Sequence, residues 1–205
     1  GEIAHTAEIV LNDGFIYHYE THTEKRARPY RQIIEEIVLP MKVWYELWGA
    51  CHDLGLTSVI SAYDRIAVDF VKDVGGGCIK ISSNNVINVP LIRHAAKTGL
   101  PLMIDTGKAS LEEVARAVDT ARDAGCDGII VNHAPEGHPA KAADHNLRII
   151  ETYSSAFDCP IGLADHYRGE EIMYAAAALN YSVIEKPVVP VPEQIDVDAP
   201  WTMRI

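Results

Sequence analysis

The fold is decided by residues 78–118, CIKISSNNVINVPLIRHAAKTGLPLMIDTGKASLEEVARAV. The apolar runs CIKI (78–81) and PLMI (101–104) have the length and the buried character of strands in a parallel sheet. A helical pattern follows each run, over residues 90–98 and over residues 110–124. The stretch therefore predicts two consecutive strand–helix units of an α/β protein.

The same alternation extends outward in both directions. Six apolar runs predict strands: TSVI (57–60), CIKI (78–81), PLMI (101–104), GIIV (128–131), PIGLA (160–164) and YSVIE (181–185). Five helices are predicted between and after them, at 64–73, 90–98, 110–124, 144–157 and 169–179. The third helix has the clearest ends, because Ser110 and Glu113 form a capping box and Gly125 follows its last turn.

The first third of the chain is less regular. AEIVL (7–11) and FIYHYE (15–20) resemble strands, and the turn signal NDG (12–14) between them predicts a hairpin. One or two helices broken near Pro40 follow. Counting these two strands gives eight and predicts a (β/α)8 TIM-type barrel with an abbreviated N-terminal βα unit, because no helix separates the first two strands. A doubly wound open sheet is the alternative, although the chain has no GxGxxG.

Composition limits the function classes. The 205 residues carry a net charge of −11, which argues against nucleic-acid and anionic-membrane partners. The four cysteines are scattered without CxxC spacing, which predicts free thiols and a cytoplasmic location. No span-length apolar run and no signal pattern is present in the sequence. We predict one barrel domain over residues 1–187 and a Pro-rich extended tail over residues 188–205.

Polar residues recur where the predicted strands end. Active sites of TIM-type barrels lie at the carboxyl ends of the strands, so these residues are expected to share one pocket. In chain order they are Glu8 or Asn12, His18 and Glu20, Ser61 and Asp64, Lys80 with Ser82 and Ser83, Asp105 and Thr106, His133 with Glu136 and His138, Asp165 and His166, and Glu185 and Lys186.

With these motifs in place, the chain resembles a known family. The 78–118 stretch, HNLRIIETYSSAFDCPIGLADHYRG (145–169) and AALNYSVIEK (177–186) resemble, in order and spacing, the sialic acid synthase family of N-acetylneuraminate synthase and its relatives. The likeness covers about residues 42–187. It implies a (β/α)8 barrel that condenses phosphoenolpyruvate with an N-acetylated amino sugar, uses a divalent metal such as Mn²⁺ or Mg²⁺, and forms homodimers.

The resemblance also implies roles for single residues. Glu8 corresponds to the catalytic glutamate of the opening strand, and Lys80 and Ser83 to the lysine and serine that hold phosphoenolpyruvate. Ser61 stands where the family has a threonine. His166 corresponds to the first metal-binding histidine, and Asp165 precedes it as in the family.

Several positions depart from the family pattern. The serine of the family's STGM is Asp105 here, and a carboxylate repels phosphate. Ala164 replaces the serine before the DH pair, and Glu136 and His138 replace an asparagine and a tyrosine. The family's EKH is EKP, so Pro187 removes the second metal histidine, and one imidazole is a poor metal site. The family's C-terminal antifreeze-like domain has no counterpart in the 205 residues.

Strand ends and resemblance together define the candidate site. The candidate catalytic residues are Glu8, Lys80, Asp165 and His166; the candidate substrate-binding residues are Ser61, Ser83, Asp105, Thr106, Glu136, His138 and Lys186; and His166 is the candidate metal ligand. The favoured function is aldol-type condensation of phosphoenolpyruvate with an amino sugar. The alternatives are a metal-dependent aldolase or lyase, whose rebuilt site comprises Asp105, Glu136, His138 and His166, and a non-catalytic ligand-binding barrel.

Overall fold

A curled sheet of seven parallel strands organises the chain in the computed structural model, which describes residues 2–3, 12–20, 24–189 and 202–204. Its strands, in spatial order, are β1 (Glu2–Ile3), β4 (Val59–Ala62), β5 (Cys78–Ile81), β6 (Leu102–Asp105), β7 (Ile129–His133), β8 (Ile161–Ala164) and β9 (Val183–Glu185). From β4 to β9 the spatial order is the chain order, without the reversal that a doubly wound sheet requires. The predicted TIM-type α/β class is therefore confirmed.

Helices connect consecutive strands of this sheet. The described helices are α1 (Tyr30–Ile37), α2 (Met41–Asp53), α3 (Arg65–Asp73), α4 (Val89–Ala96), α5 (Leu111–Asp123), α6 (Ile149–Phe157) and α7 (Glu171–Ala178). The predicted capping box of α5 is present, since Glu113 N–H donates to Ser110 Oγ and Ser110 N–H donates to Glu113 Oε2. Pro40 divides α1 from α2, as the sequence predicts.

The start of α6 differs from the prediction. Residues 144–157 were expected to be one helix, but Ala142–His145 form a short 3-10 helix and Asn146 adopts a left-handed backbone with φ of 37°. The α-helix begins only at Ile149. The reason is burial of the His145 side chain, which has no exposed surface and faces the strand ends instead of following the helix.

The N-terminal strands need a correction. Strand β2 (Ile16–Glu20) is not in the barrel sheet: it pairs antiparallel with β3 (Lys25–Pro29), a strand that the sequence pattern did not predict. His18 and Glu20 therefore belong to a separate hairpin and not to a second barrel strand. The predicted strand at 7–11, and Glu8 with it, lie outside the described residues.

The core fills the space between the sheet and helices α3 to α7. Alternate residues of the strands, including Ile79, Ile81 and Ile104, have no exposed surface and pack on Val68 and Val114 of the helices. Full burial of such a side chain stabilises the fold by about 1.5–3 kcal/mol. The opposite face of the same strands is left for polar residues, and this face carries the candidate site.

The ends of the chain and the thiols complete the description. Most of the predicted tail lies outside the described residues, but Val188–Val189 (β10) pair in parallel with Met203–Arg204 (β11). The four cysteines are free. Within the described ranges, no helix is long and apolar enough to cross a membrane.

Candidate active site

Lys80 is the centre of a polar cluster on the inner face of the sheet. Its Nζ lies 2.7 and 2.6 Å from the two carboxylate oxygens of Glu185 and 3.0 Å from Asp105 Oδ2. Asn132 Nδ2 donates to Asp105 Oδ1 at 2.8 Å and to Glu185 Oε2 at 3.2 Å. We refer to these four residues as the Lys80 cluster. When every group is ionised, the two carboxylates outnumber the single ammonium.

Strand register explains why Lys80, Asp105 and Asn132 share one face of the sheet. Asp105 pairs with Asn132, and Asn132 pairs with Gly162, so the three lie side by side on one face of the sheet. A Cβ at Gly162 would stand 2.4 Å from Asn132 Oδ1. Because Gly162 has no side chain, the Asn132 amide has the space to face the carboxylates. Lys80 shares this face because it alternates with Ile79 and Ile81, which face the helices.

Burial and charge oppose each other in the Lys80 cluster. Burial alone would lower the pKa of Lys80, but the charges of Asp105 and Glu185 raise that pKa above its ordinary value. Burial raises the pKa of Asp105 to about 6, against the attraction of Lys80. Lys80 is thus held as an ammonium ion, and Asp105 changes charge near neutral pH. Glu185 is the open member, with 44% of its side chain exposed against 10% for Lys80.

A second cluster surrounds Asp165, whose side chain has no exposed surface. Its Oδ1 accepts from Tyr167 N–H at 2.8 Å and lies 3.1 Å from His145 Nε2, while its Oδ2 accepts from Lys186 Nζ at 2.9 Å. Lys186 Nζ also donates to the backbone carbonyls of Tyr167 and, at 3.0 Å, of Gly169. Asp165, His145 and Lys186 form what we call the Asp165 cluster. Burial acts to raise the pKa of Asp165, but the hydrogen bonds from His145, Tyr167 and Lys186 outweigh it and lower that pKa.

Two histidines lie between these clusters. The rings of His138 and His166 are 4.2 Å apart between centroids and tilted by 39°. Burial, with the nearby charges of His138 and Lys80, lowers the pKa of His166 to about 3. His166 is therefore a neutral imidazole at physiological pH, and it is close enough to Lys80 to respond to its charge.

The remaining predicted residues lie around these clusters. Ser61 is buried and pairs with Lys80 across the sheet, on the same inner face. Ser83 and Thr106 join neighbouring loops: Ser83 Oγ accepts from the Gly107 N–H at 3.2 Å, and Thr106 Oγ1 accepts from the Ala134 N–H at 3.3 Å. Their predicted contact with substrate stays a prediction.

The proposed rebuilt metal site is not assembled. Asp105 is engaged by Lys80, and Glu136 forms a surface ion pair with Lys108 at 3.2 Å in which both side chains are 73% exposed. Of the four residues expected there, His138 and His166 are in contact with each other. Across residues 12–20 and 24–189, no group of three or more histidine, cysteine, aspartate or glutamate side chains is placed to hold a metal.

Sequence reasoning missed Asn132 and His145 as site residues. Asn132 lies inside β7 with no exposed surface, where its register with Asp105 was the available signal. His145 lies in a connection whose sequence predicts a helix, so the pattern carries no signal for its burial. Glu185 was noted as a strand end but was not included among the candidate site residues, although it makes the shortest contact with Lys80.

Comparison with known proteins places this geometry in a family. The NeuB family model matches residues 4–203. An uncharacterized protein of Methanocaldococcus jannaschii is 31% identical over 83% of this chain and 50% of its own length. N,N'-diacetyllegionaminic acid synthase of Legionella pneumophila is 28% identical over 82% of this chain and 48% of its own length. The chain therefore spans about half the length of these relatives.

A solved structure agrees with these sequence matches. N-acetylneuraminic acid synthetase of Leptospira borgpetersenii, crystallised with citrate, superposes with a TM-score of 0.81 and 25% identity over 85% of this chain and 61% of that one. The family model, the relatives and this structure all confirm the resemblance carried by residues 42–187. The chain belongs to the NeuB family.

Proposed function

We propose that this chain provides the barrel site of an enzyme that condenses phosphoenolpyruvate with an amino sugar to form a nonulosonic acid. The relatives named as legionaminic acid and neuraminic acid synthases support this reaction class. The observation that carries it is the Lys80 ammonium, which lies on the inner face among convergent polar groups from β5, β6, β7 and β9. A buried lysine is a point charge suited to the phosphate or carboxylate of such a donor.

Donor binding requires a change of partners at Lys80. Three carboxylate oxygens lie within 3.0 Å of its Nζ, so an incoming anion must displace one of them. Glu185 is the member that can leave, because nearly half of its side chain reaches solvent. Asp105 is enclosed, but with a pKa of about 6 it can lose its charge by taking up a proton. Both changes lower the repulsion that the donor meets.

The reaction then needs groups that move protons at defined atoms. The donor's enol carbon bonds to the aldehyde carbon of the open-chain sugar, and the aldehyde oxygen takes a proton. Water then adds to the donor's C2, and the C2–O bond to phosphate breaks. The proton of that water can pass to the departing phosphate. His166 has a pKa of about 3 because of burial and nearby charges, so it is a weak base and can orient the water by a hydrogen bond as a neutral imidazole. Protonated Asp105 can supply the proton to the new hydroxyl.

The side chains that the structure describes do not form a suitable set of ligands for a resident metal. His138 and His166 supply two imidazoles, whereas Mn²⁺ and Mg²⁺ prefer carboxylate and other oxygen ligands. Pro187 stands where the resemblance implies a second histidine. The ligands in the described part of the chain therefore do not fit the Mn²⁺ or Mg²⁺ site that the resemblance implies at His166.

Further properties remain part of the proposal. A small-molecule donor and acceptor and a homodimer follow from the family resemblance. The absence of nucleic-acid and membrane partners follows from the net charge of −11, and a cytoplasmic location follows from the scattered cysteines. The acceptor that we propose is an N-acetylated amino sugar, in keeping with the N-acetylated acids in the relatives' names.

Product analysis tests the proposed function. The protein is incubated with phosphoenolpyruvate, Mn²⁺ and a set of N-acetylated amino sugars, and the mixture is analysed by mass spectrometry and for released phosphate. A product that contains the sugar plus the three-carbon acid, lost in Lys80→Met but retained in the surface variant His94→Ala, supports the proposal. Phosphate release without such a product, or equal product from Lys80→Met, contradicts it.

A further inference from the structure

The buried side chains of His145 and Asp165 link the loop after β7 to the loop after β8. The first loop carries His138 and the second carries His166. His145 ends the first loop, and its side chain has no exposed surface. His145 lies outside both β7 and β8. Neither the family match nor the proposed chemistry assigns it a role.

The hydrogen bonds of His145 reach in both directions. Nδ1 lies 2.9 Å from the carbonyl oxygen of Lys141, and Nε2 lies 3.1 Å from Asp165 Oδ1. Its own carbonyl oxygen accepts from His133 Nε2 at 2.7 Å. Both ring nitrogens therefore face oxygen acceptors, and the backbone of the same residue is fixed to the end of β7. A side chain held on both sides in this way has one orientation.

The far partner of His145 fixes the backbone on both sides of His166. Asp165 Oδ1 also accepts from Tyr167 N–H, and this contact closes the turn that contains His166. Lys186 holds the same turn from the end of β9 through Asp165, Tyr167 and Gly169. The His166 carbonyl accepts from Ala140 N–H at 3.0 Å. The turn has little freedom while these contacts remain.

We propose that His145 is a positioning residue that, through Asp165, sets the His138–His166 pair at the mouth of the site. His145 lies in the loop of one histidine and is hydrogen-bonded to the turn of the other, so it fixes the two loops relative to each other. Asp165 and Lys186 then act through His166 and not on the substrate. This inference rests on the proposed function where it concerns turnover, but the placement of the rings can be measured without activity.

The test measures ring placement and turnover separately. Long-range ¹H–¹⁵N spectra of the histidine rings are recorded for the parent protein, His145→Ala, His145→Gln and the control His94→Ala. His94 also pairs with an aspartate, Asp69, but on helices α3 and α4 away from the strand ends. We expect His145→Ala to move or broaden the His138 and His166 signals, and His145→Gln, which keeps amide donors, to restore part of them.

Kinetics with phosphoenolpyruvate and the accepted sugar give the second readout. His145→Ala should lower kcat about 100-fold through misplacement of the reacting groups, with the KM for phosphoenolpyruvate changed much less. His145→Gln should recover most of that loss. Unchanged His138 and His166 signals in folded His145→Ala, equal shifts in His94→Ala, or an unchanged kcat would overturn the inference.

Two results need separate interpretation: a parent protein without activity, and a His145→Ala variant that does not fold. If the parent protein has no condensation activity, the proposed function fails, while the ring spectra still decide whether His145 positions the pair. If His145→Ala does not fold, Lys186→Gln loosens the same turn from its other side and must move the His166 signals; unmoved signals there would overturn the inference.

Discussion

Two lysines of this protein lie near carboxylates at the strand ends, but their surroundings differ. Lys80 is shared by Asp105 and Glu185, and Glu185 is 44% exposed. Lys186 faces Asp165, with side-chain exposures of 5% and 0%, and its other acceptors are backbone carbonyls. An ion pair with an exposed member can exchange its partner for a ligand, whereas an enclosed pair bonded to backbone is part of the fold. We therefore propose that Lys80 binds substrate and that Lys186 positions the loop.

The largest effect is expected from breaking the enclosed pair. Lys186→Met removes the cation that faces Asp165 and leaves two backbone carbonyls without their donor. Removal of one partner of a buried ion pair costs about 3–5 kcal/mol, so the free energy of unfolding should fall by that amount. Urea denaturation followed by circular dichroism measures it. A loss below about 1 kcal/mol would show that this pair is not structural.

Lys80→Met should chiefly affect ligand binding. The affinity for phosphoenolpyruvate should fall at least about 100-fold, which corresponds to about 2.7 kcal/mol. The thermal stability of Lys80→Met should fall less than that of Lys186→Met, because Asp105 can take up a proton and Glu185 reaches solvent. Calorimetric titration and thermal melting of the two variants compare these effects. Equal destabilisation of both variants would remove the distinction between the clusters.

Asp105→Asn tests how the charge of Asp105 in the Lys80 cluster affects phosphoenolpyruvate binding. It removes a carboxylate beside the proposed anion site, so phosphoenolpyruvate should bind about tenfold more tightly at pH 7.5. In the parent, Asp105 with its pKa of about 6 is mostly ionised at pH 7.5 and mostly neutral at pH 5.5. Parent affinity should therefore rise as the pH falls through 6. Titrations of both proteins across this range measure it, and a parallel rise in Asp105→Asn would assign the effect to another group.

The smallest effect is expected at an exposed aspartate–histidine pair. His94 Nε2 lies 2.7 Å from Asp69 Oδ1, closer than His145 lies to Asp165, but the Asp69 side chain is 58% exposed. Asp69→Asn should change the free energy of unfolding by less than about 0.5 kcal/mol. Asp165→Asn should cost several times more in the same denaturation assay. A similar cost at the two positions would mean that burial does not decide the strength of these pairs.

The sequence predicted the barrel sheet well because short apolar runs and capped helices are local signals. The runs near Cys78, Leu102 and Ile161 and the cap at Ser110 are all found where they were predicted. FIYHYE was recognised as a strand, but its pairing with Lys25–Pro29 was not predicted, because an alternating pattern identifies a strand without naming its neighbour.

The candidate site was predictable only in part. Lys80, Asp105 and Asp165 were found because they end strands. Asn132 was missed because its role depends on register and on the space at Gly162. His145 was missed because a buried polar residue in a loop leaves no periodic signal. The contact between Lys80 and Glu185 joins residues 105 positions apart, which no local pattern encodes.

The most direct test of the central claim is calorimetric titration of phosphoenolpyruvate into the parent protein, Lys80→Met and Lys186→Gln under identical conditions. We expect binding to the parent, loss of binding in Lys80→Met, and affinity within roughly threefold of the parent in folded Lys186→Gln. Undiminished binding to Lys80→Met would contradict the assignment of Lys80 as the residue that exchanges a carboxylate for the substrate.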